Sequence, residues 1–497
     1  MGEGMKYESV IGLEVHAELL TRSKMFCGCE VVDTTEAEPN RYVCPVCAGM
    51  PGVLPVVNRL AVEYAIKAAL ALNCKVQEFS QFARKSYFYP DLPKGYQISQ
   101  YEQPFSTHGW LDIEVGEATK RIGITRAHLE EDTGKLYHIN AHSLVDLNRA
   151  GVPLLEIVSE PDFRTIEEIE AYARKVRSIL VYLGINHGDM SKGVLRFEAN
   201  VSIRPRGETA LGTRTEIKNL NSIRALVRAV AYEIDRQIAL VEAGGKIVQD
   251  TMGFNEATGE TYIQRHKESS DDYRYFPEPD LPPLVVSREW VEEVAAGLPE
   301  LPDAKRDRFM SAFGLSKYDA GVLVADKSVA DYYEATLAAG GDAKEAANWI
   351  TGELFRLMNA SGSEIGEVEK RITPGNLAGL IGRVDGSATS ERFRWTEDMV
   401  NSTAGRVVLG EMFETGKDAS EIIAAKGLAQ ISDEEALGRL VDQVLDENPE
   451  QVAQYLGGKE GLFGWFVGQV MRATRGQANA QMVNDLLAAR LNARRGA

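Results

Sequence analysis

No apolar run in these 497 residues approaches the roughly 18 residues that a membrane-crossing helix needs. Glu8, Glu14, His16 and Glu18 interrupt the amino-terminal segment where a secretory signal would need an unbroken apolar stretch, so the sequence reads as cytoplasmic. Only five cysteines are present, and a disulfide framework would need a secreted context that nothing here supports. Positive charge is in deficit. A net charge of −18 argues against broad, unspecific nucleic-acid binding, although it leaves room for a local basic face. Also missing are the glycine-rich loop with Gly-Lys-Ser/Thr, the kinase signature set and the dinucleotide fingerprint, so any ATP site must be of another kind. There is no Ser-rich amidase stretch with a paired lysine, and no convincing cysteine nucleophile for splitting glutamine.

What is present is ordinary for a globular chain: 44% hydrophobic and 26% charged residues, at a length that predicts two or three domains. Residues 1–295 read as mixed α and β. Ile11, Leu13, Val15, Ala17 and Leu19 alternate with Glu14, His16, Glu18 and Leu20, the period-2 signature of a strand with one buried face. Phe197, Ala199, Val201 and Ile203 repeat it against Arg196, Glu198, Asn200, Ser202 and Arg204. Segments 121–130, 143–149 and 213–219 are further strand candidates. Thr165 and Glu168 form a capping box before a helix that Gly184 stops, and a second helix runs from Asn221–Ser222 to Gly244. A third covers about 58–73. Helices on one face leave the other face of an antiparallel sheet free for polar chemistry, which makes the fold class α+β. A proline-rich boundary near 276–302 precedes a helical domain over 296–405. A softer break at 383–405 leads to a small helical tail over 406–497.

Cys27-Gly-Cys29 and Cys44-Pro-Val-Cys47 are two close pairs of the kind that suit tetrahedral zinc, with no position left open for water. The alternative is buried or free thiols, or a redox pair. Cys74 reads as a small core residue. Polar residues punctuate the apolar strands: Glu14 and His16, Glu198 and Asn200, Glu130, Glu131 and Asp132 after His128, Glu156, and Glu216. Hard oxygen donors with an imidazole suit Mg²⁺ carrying nucleotide phosphates, and Arg149, Arg196, Arg204 and Lys218 interleave as anion clamps would. The same alternation would also serve a merely wetted sheet face. The loop with Lys85, Ser86, Tyr87 and Tyr89, and the stretch 269–276 with Arg274, could stack a base and hold phosphate, or could be rigid loops with packed tyrosines. The last 39 residues carry Lys459, Arg472, Arg475, Arg490, Arg494 and Arg495 against Glu460 and Asp485, either a nucleic-acid-binding surface or a solvated face.

Several long stretches resemble the GatB family of glutamyl-/aspartyl-tRNA amidotransferase subunits. They are Ile11-Gly-Leu-Glu-Val-His16, Pro51-Gly-Val-Leu-Pro-Val-Val-Asn58, Arg84-Lys-Ser-Tyr-Phe-Tyr-Pro-Asp91 and Leu144-Val-Asp-Leu-Asn-Arg149. Glu156-Ile-Val-Ser-Glu-Pro161, Lys218-Asn-Leu-Asn-Ser222 and Asp271-Asp-Tyr-Arg-Tyr-Phe-Pro-Glu-Pro279 continue in family order. The tail is similar to YqeY-type domains through Gly476-Gln-Ala-Asn479. The resemblance implies a cradle domain whose metal face is like that of glutamine synthetase, a helical middle and a tail that touches tRNA. It implies a ligase forming carbon–nitrogen bonds with glutamine as amido donor, in a heterotrimer with an amidase subunit and a small third subunit (GatA and GatC). ATP would phosphorylate the side-chain carboxylate of mischarged Glu-tRNA(Gln) or Asp-tRNA(Asn), and ammonia from the amidase subunit would then displace the phosphate. The family's metal positions carry over to His16, Glu131 and Glu156, with Glu14, Glu198, Asn200 and Glu216 beside them. Some relatives have aspartate where Glu198 stands, and only some carry the four cysteines. The archaeal relative GatE has a large inserted domain for which 276–345 leaves no room. A rival reading is a non-catalytic zinc-containing adaptor that binds tRNA.

Overall fold

The computed structural model describes residues 6–140, 142–266, 273–384, 398–431 and 433–495. Asp271 and Asp272 of the motif above, and most of the softer break expected at 383–405, lie outside the described residues. The chain divides into two compact units, Met1–Pro302 and Asp303–Ala497.

The first unit contains strands β1 (Tyr7–Glu18), β2 (Lys75–Val76), β3 (Phe79–Ser80), β4 (Ala83–Ser86) and β5 (Tyr96–Ser99). After them come β6 (Ser106–Val115), β7 (Ala118–Glu131), β8 (Lys135–Ile139), β9 (His142–Asp146) and β10 (Pro153–Ser159). The series ends with β11 (Leu195–Pro205), β12 (Thr215–Leu220), β13 (Asp250–Asn255), β14 (Glu260–His266), β15 (Phe276–Pro277) and β16 (Leu284–Val285). Nine of them make one sheet in the order β14-β13-β12-β11-β1-β10-β7-β6-β2. All neighbours run antiparallel except β12 and β13, which are parallel. Lys85 and Ser86, expected in a loop, are the last two residues of β4 in the small sheet β15-β4-β5.

Helices α1 (Arg59–Ala71), α2 (Ile166–Tyr182) and α3 (Ile223–Glu242) supply the apolar partner for the sheet. The expected capping box is present: the Thr165 hydroxyl accepts from the Glu168 amide while the Glu168 carboxylate reaches back to the cap. Ser222 caps α3 in the same way, accepting from Ala225 N. Their inward rows meet Leu13, Val15 and Ala17 of β1, Leu155 and Ile157 of β10, and Phe197, Ala199 and Val201 of β11 in one core. Each leucine, isoleucine, valine and phenylalanine among them contributes about 1.5–3 kcal/mol on full burial, which fixes the register of β1 and with it the polar face opposite. One polar group enters from α3. Buried Glu233 accepts from the hydroxyls of Thr215 and Thr261 and from Arg236 and Gln237, so its charge is fully satisfied.

In the described part of the second unit the regular elements are helices, with one π-turn over Trp349–Leu354. Its apolar side chains gather in two clusters, one from Phe309 to Ile423 and one from Leu437 to Leu491. The α+β class expected from the sequence is the one observed: a large sheet with helices first, helices afterwards. No helix among the described residues is long and apolar enough to cross a membrane.

Candidate functional site

Register decides what the polar face can do. His16 on β1 stands opposite Glu156 of β10 and Arg196 of β11, and Glu156 in turn stands opposite His128 of β7. One row along, Glu14 faces Glu198, and Asn200 faces Glu216 of β12. Because side chains two apart share a face, Glu14 and His16, His128 and Glu130, and Glu198 and Asn200 converge from separate strands.

The convergence is close. His16 Nε2 lies 3.5 Å from Glu156 and 3.8 Å from Glu130, and its Nδ1 lies 3.9 Å from Glu198. Three overlapping donor groups result: Glu14, His16 and Glu156; His128, Glu130 and Glu156; and Glu14, Glu198 and Glu216. In each, the donor atoms lie within 4.8 Å of one another. Like charges held this near raise one another's pKa. Burial, and then Glu156, push Glu130 up to about 7, and burial with Glu156, Glu198 and Glu216 raises Glu14 as well. Burial opposes a charge on His16, yet its hydrogen bond with Glu156 and the surrounding carboxylates carry it up to about 9. Burial takes His128 down to about 4, so the positive imidazole facing Glu156 at neutral pH is His16.

An excess of carboxylate oxygens and one basic imidazole, gathered on one largely buried face of the sheet, fits a hard divalent cation. Asn200 adds to the fit: its Nδ2 donates to Glu14 at 2.8 Å while its buried Oδ1 has no hydrogen-bond partner. The face has cations of its own. Lys218 Nζ lies 2.6 Å from Glu198 and 3.2 Å from Glu216. Arg196 donates to Asp132 at 2.9 Å, with Glu18 at 3.5 Å. Burial opposes ionisation of Asp132, but Arg196 and Arg149 hold it well below the usual carboxylate range, while burial and Asp132 push Glu18 up to about 8. Arg149 spends its hydrogen bonds on the carbonyls of Thr133 and Gly134. It shapes the turn after β7 rather than reaching the carboxylate face.

Glu131 requires a correction. It was expected beside His16, but one residue along a strand changes face, and β7 turns Glu130 toward His16 instead. Glu131 points to the other side, where it accepts from Ile98 N at 2.9 Å and pairs with Lys94 at 2.6 Å. A pocket there is lined by Phe26, Cys27, Cys47, Lys94, Tyr96 and Glu131, among others.

The four cysteines meet. Sγ of Cys47 lies 3.9 Å from those of both Cys29 and Cys44, and all four sulfurs fall within 4.8 Å. A tetrahedron with Zn–S of about 2.3 Å has edges of about 3.8 Å, so the geometry suits zinc. The Cys27 thiol donating to it holds Cys47 down at about 4, and burial pushes Cys29 up to about 11. Fully buried Lys24 donates to Cys47 at 3.6 Å and to Leu147 O at 3.2 Å. Cys74 is buried against the core, away from the four.

Of the loop residues, Lys85 faces Glu130, Glu156 and Tyr275. These raise its pKa although burial opposes the charge, and its ammonium also lies 5.1 Å from the Tyr273 ring. Ser86 pairs with Tyr96 across the small sheet. Tyr87 packs on Tyr89 and Tyr273, with Arg265 over its ring. Arg274 is exposed, with a positive φ of 45°. In the second unit Lys459, Arg472 and Arg475 are exposed, whereas Arg490 and Arg494 pair with Asp442 and Asp446. No role for His128, Lys24 or Lys94 was read from the sequence alone. His128 had a visible signal, since it lies two residues before Glu130. The two lysines had none, because each meets its partner on a distant segment of chain, Cys47 and Leu147 for Lys24 and Glu131 for Lys94.

Comparison with known proteins places the chain in a recognised class. A family profile described as the GatB/GatE catalytic domain matches residues 9–292, and a second, described as the GatB domain, matches 331–491. A Geobacter sulfurreducens protein named as the B subunit of aspartyl/glutamyl-tRNA(Asn/Gln) amidotransferase is 52% identical over 492 residues, spanning 98% of this chain and 100% of its own length. A Moorella thermoacetica protein of the same name is also 52% identical, over 491 residues, with 98% and 100% coverage. A third, from Caldanaerobacter subterraneus, is 52% identical over 484 residues, with 97% and 99% coverage. The chain belongs to the GatB family of tRNA-dependent amidotransferase subunits.

Proposed function

We propose that this chain activates the side-chain carboxylate of glutamate or aspartate already esterified to its tRNA, using ATP, and then admits ammonia to the activated group. The observation that carries the reading is the meeting of Glu14, His16, Glu130, Glu156 and Glu198 from four strands on one face of the sheet. Mg²⁺ held there by His16, Glu156 and Glu130 or Glu14 would neutralise charge on the transferring phosphoryl group. A substrate carboxylate oxygen attacks the γ-phosphorus and ADP leaves. Ammonia then attacks the acyl phosphate carbon, inorganic phosphate leaves, and the amide remains.

The protein's own groups do the positioning. Lys85 brings a cation to the rim beside Glu130 and Glu156, where a phosphate would lie. Arg196, fixed by Asp132, brings a second beside His16. A carboxylate is already ionised at neutral pH, so the first step needs no strong general base, and alignment supplies much of the acceleration. Tyr87, Tyr89, Tyr273 and Arg274 would receive the base and ribose at the aminoacyl end. The four-sulfur site would hold zinc as a structural ion, keeping the 24–56 segment against β7 and the turn after it. The relatives' names call them B subunits, which supports a heterotrimer with an amidase and a small third subunit; no glutamine-splitting motif is found in this chain.

The test supplies ATP, Mg²⁺ and ammonia with either mischarged tRNA or free glutamate, with and without partner subunits. The expected product is amidated aminoacyl-tRNA, made from mischarged tRNA only. Glu156→Gln should lower that rate by at least about a thousandfold while glutamine hydrolysis by the assembled complex persists. Turnover of free glutamate would point to a small-molecule ligase. tRNA binding without any ATP-dependent amide would leave only an adaptor.

A further inference from the structure

Lys24 is among the largest side chains with no exposure to solvent. A buried ammonium is costly unless an anion meets it. Among the described residues no carboxylate lies within ion-pair distance of this one. Its two partners are the Cys47 sulfur at 3.6 Å and the Leu147 carbonyl at 3.2 Å. The compensating charge must therefore come from sulfur. The other lysine bordering these sulfurs, Lys94, already pairs with Glu131 at 2.6 Å. Four thiolates around one Zn²⁺ make a dianionic complex, and Lys24 stands where it can halve that charge.

The ammonium also has a fixed place in the fold. A Cβ on Gly151, whose φ is +87°, would lie 3.5 Å from both the Cys47 Cβ and the Lys24 Cδ, so the turn 147–152 between β9 and β10 packs directly on both side chains. Met25 N donates to the Gly151 carbonyl at 2.7 Å, and Gly151 N to that of Asp132 at 2.9 Å. Lys24 thus lies between the sulfur cluster and the turn that leads into β10.

We propose that Lys24 is the counter-cation of the four-sulfur site: its ammonium donates to zinc-bound Cys47, stabilises the loaded state and ties the ion to the turn through Leu147. The inference rests on the structural-zinc reading above and goes beyond it by assigning the residue outside the four ligands that sets zinc retention. With zinc in place, the cation and the anionic complex satisfy each other. With the metal gone and the thiols neutral, the ammonium would be buried without an anion. The lysine therefore favours the loaded state over the empty one.

The experiment uses the full-length chain, with excess Mg²⁺ to occupy oxygen ligands, and reads zinc affinity by competition with a chromophoric chelator. Lys24→Met removes the charge and keeps the reach of the side chain. It should weaken zinc binding by about ten- to a hundredfold. In the cobalt-substituted variant the sulfur-to-metal charge-transfer band should move to longer wavelength, because the thiolate donor loses a neighbouring cation. Lower affinity with an unmoved band would mean lost packing alone and would overturn the inference, as would equal affinity in the two proteins. A wild type that binds no zinc overturns the structural-zinc reading and the inference with it. Should Lys24→Met not fold, the wild type still decides. With isotope-labelled lysine, one ammonium nitrogen resonance should shift when cadmium replaces zinc, since the bond to Cys47 feels the metal. If none shifts, the ammonium does not reach a metal-bound sulfur and the proposal fails.

Discussion

At Glu130 and Glu131 two identical side chains, one peptide bond apart, have unrelated tasks. Glu130→Gln should weaken Mn²⁺ binding about tenfold or more while leaving the thermal midpoint nearly unchanged, since it sits on a face already rich in like charge. Glu131→Gln should do the reverse. It would leave Lys94 buried without its anion, at a cost of about 3 kcal/mol in urea unfolding, with Mn²⁺ affinity largely kept. Equal effects from both variants would contradict the register of β7. His16 makes a pH prediction. Its imidazole is charged below about 9 in the metal-free site, so a divalent ion must displace that proton to bind. Mn²⁺ affinity should therefore rise by about tenfold per pH unit between pH 6.5 and 8.5 and level off near 9. A flat profile by calorimetry would remove His16 from the ligand set. The sequence showed that His16 and Glu156 interrupt apolar strands. It could not show which of two adjacent glutamates at a strand's end would turn toward them, because alternation alone does not say where the ladder stops.

Among the elements, the long ones were legible and the short ones were not. Strict alternation announced β1 and β11, and helical spacing with a capping box announced α2, because each buries a continuous apolar row. Two-residue strands such as β2, β3, β15 and β16 have no row to display; β2 and β15 are defined by their partners β6 and β4, and β3 and β16 by each other. The parallel pairing of β12 with β13 is equally invisible locally, since a long helix separates the two strands. Thr165→Ala, which removes the hydroxyl that caps α2, should cost about 1 kcal/mol of stability by chemical denaturation. Cys44→Ser should lose the zinc measured by elemental mass spectrometry and increase proteolysis within 24–56. Full zinc content in that variant would contradict a site built from all four sulfurs.

For the whole molecule, the apolar clusters give each of the two units its own core. A fragment ending at Pro302 should fold cooperatively and retain Mn²⁺ binding within about threefold of the full chain, while losing affinity for tRNA. Charge reversal at the tail tests that second part directly. Arg472→Glu with Arg475→Glu should weaken tRNA binding about tenfold and flatten its salt dependence, leaving nucleotide binding unchanged. The overall acidity of the chain concealed this region. Only a local count of charge near the carboxyl end revealed it, and that count could not separate Arg490 and Arg494, which neutralise Asp442 and Asp446, from Arg472 and Arg475.

The back-to-back glutamates of β7 also set a rule for tolerated change. Deleting or inserting one amino acid between the β6–β7 turn and Asp132 would rotate every following side chain by half a turn of the pleat. It would drive Leu129 into water and bring an anchor's charge to the place of a reactant's. That hairpin can vary in composition at exposed Glu117, with Gly116 held by its positive φ of 60°, yet its length is arithmetically locked: even changes can be absorbed, odd ones cannot.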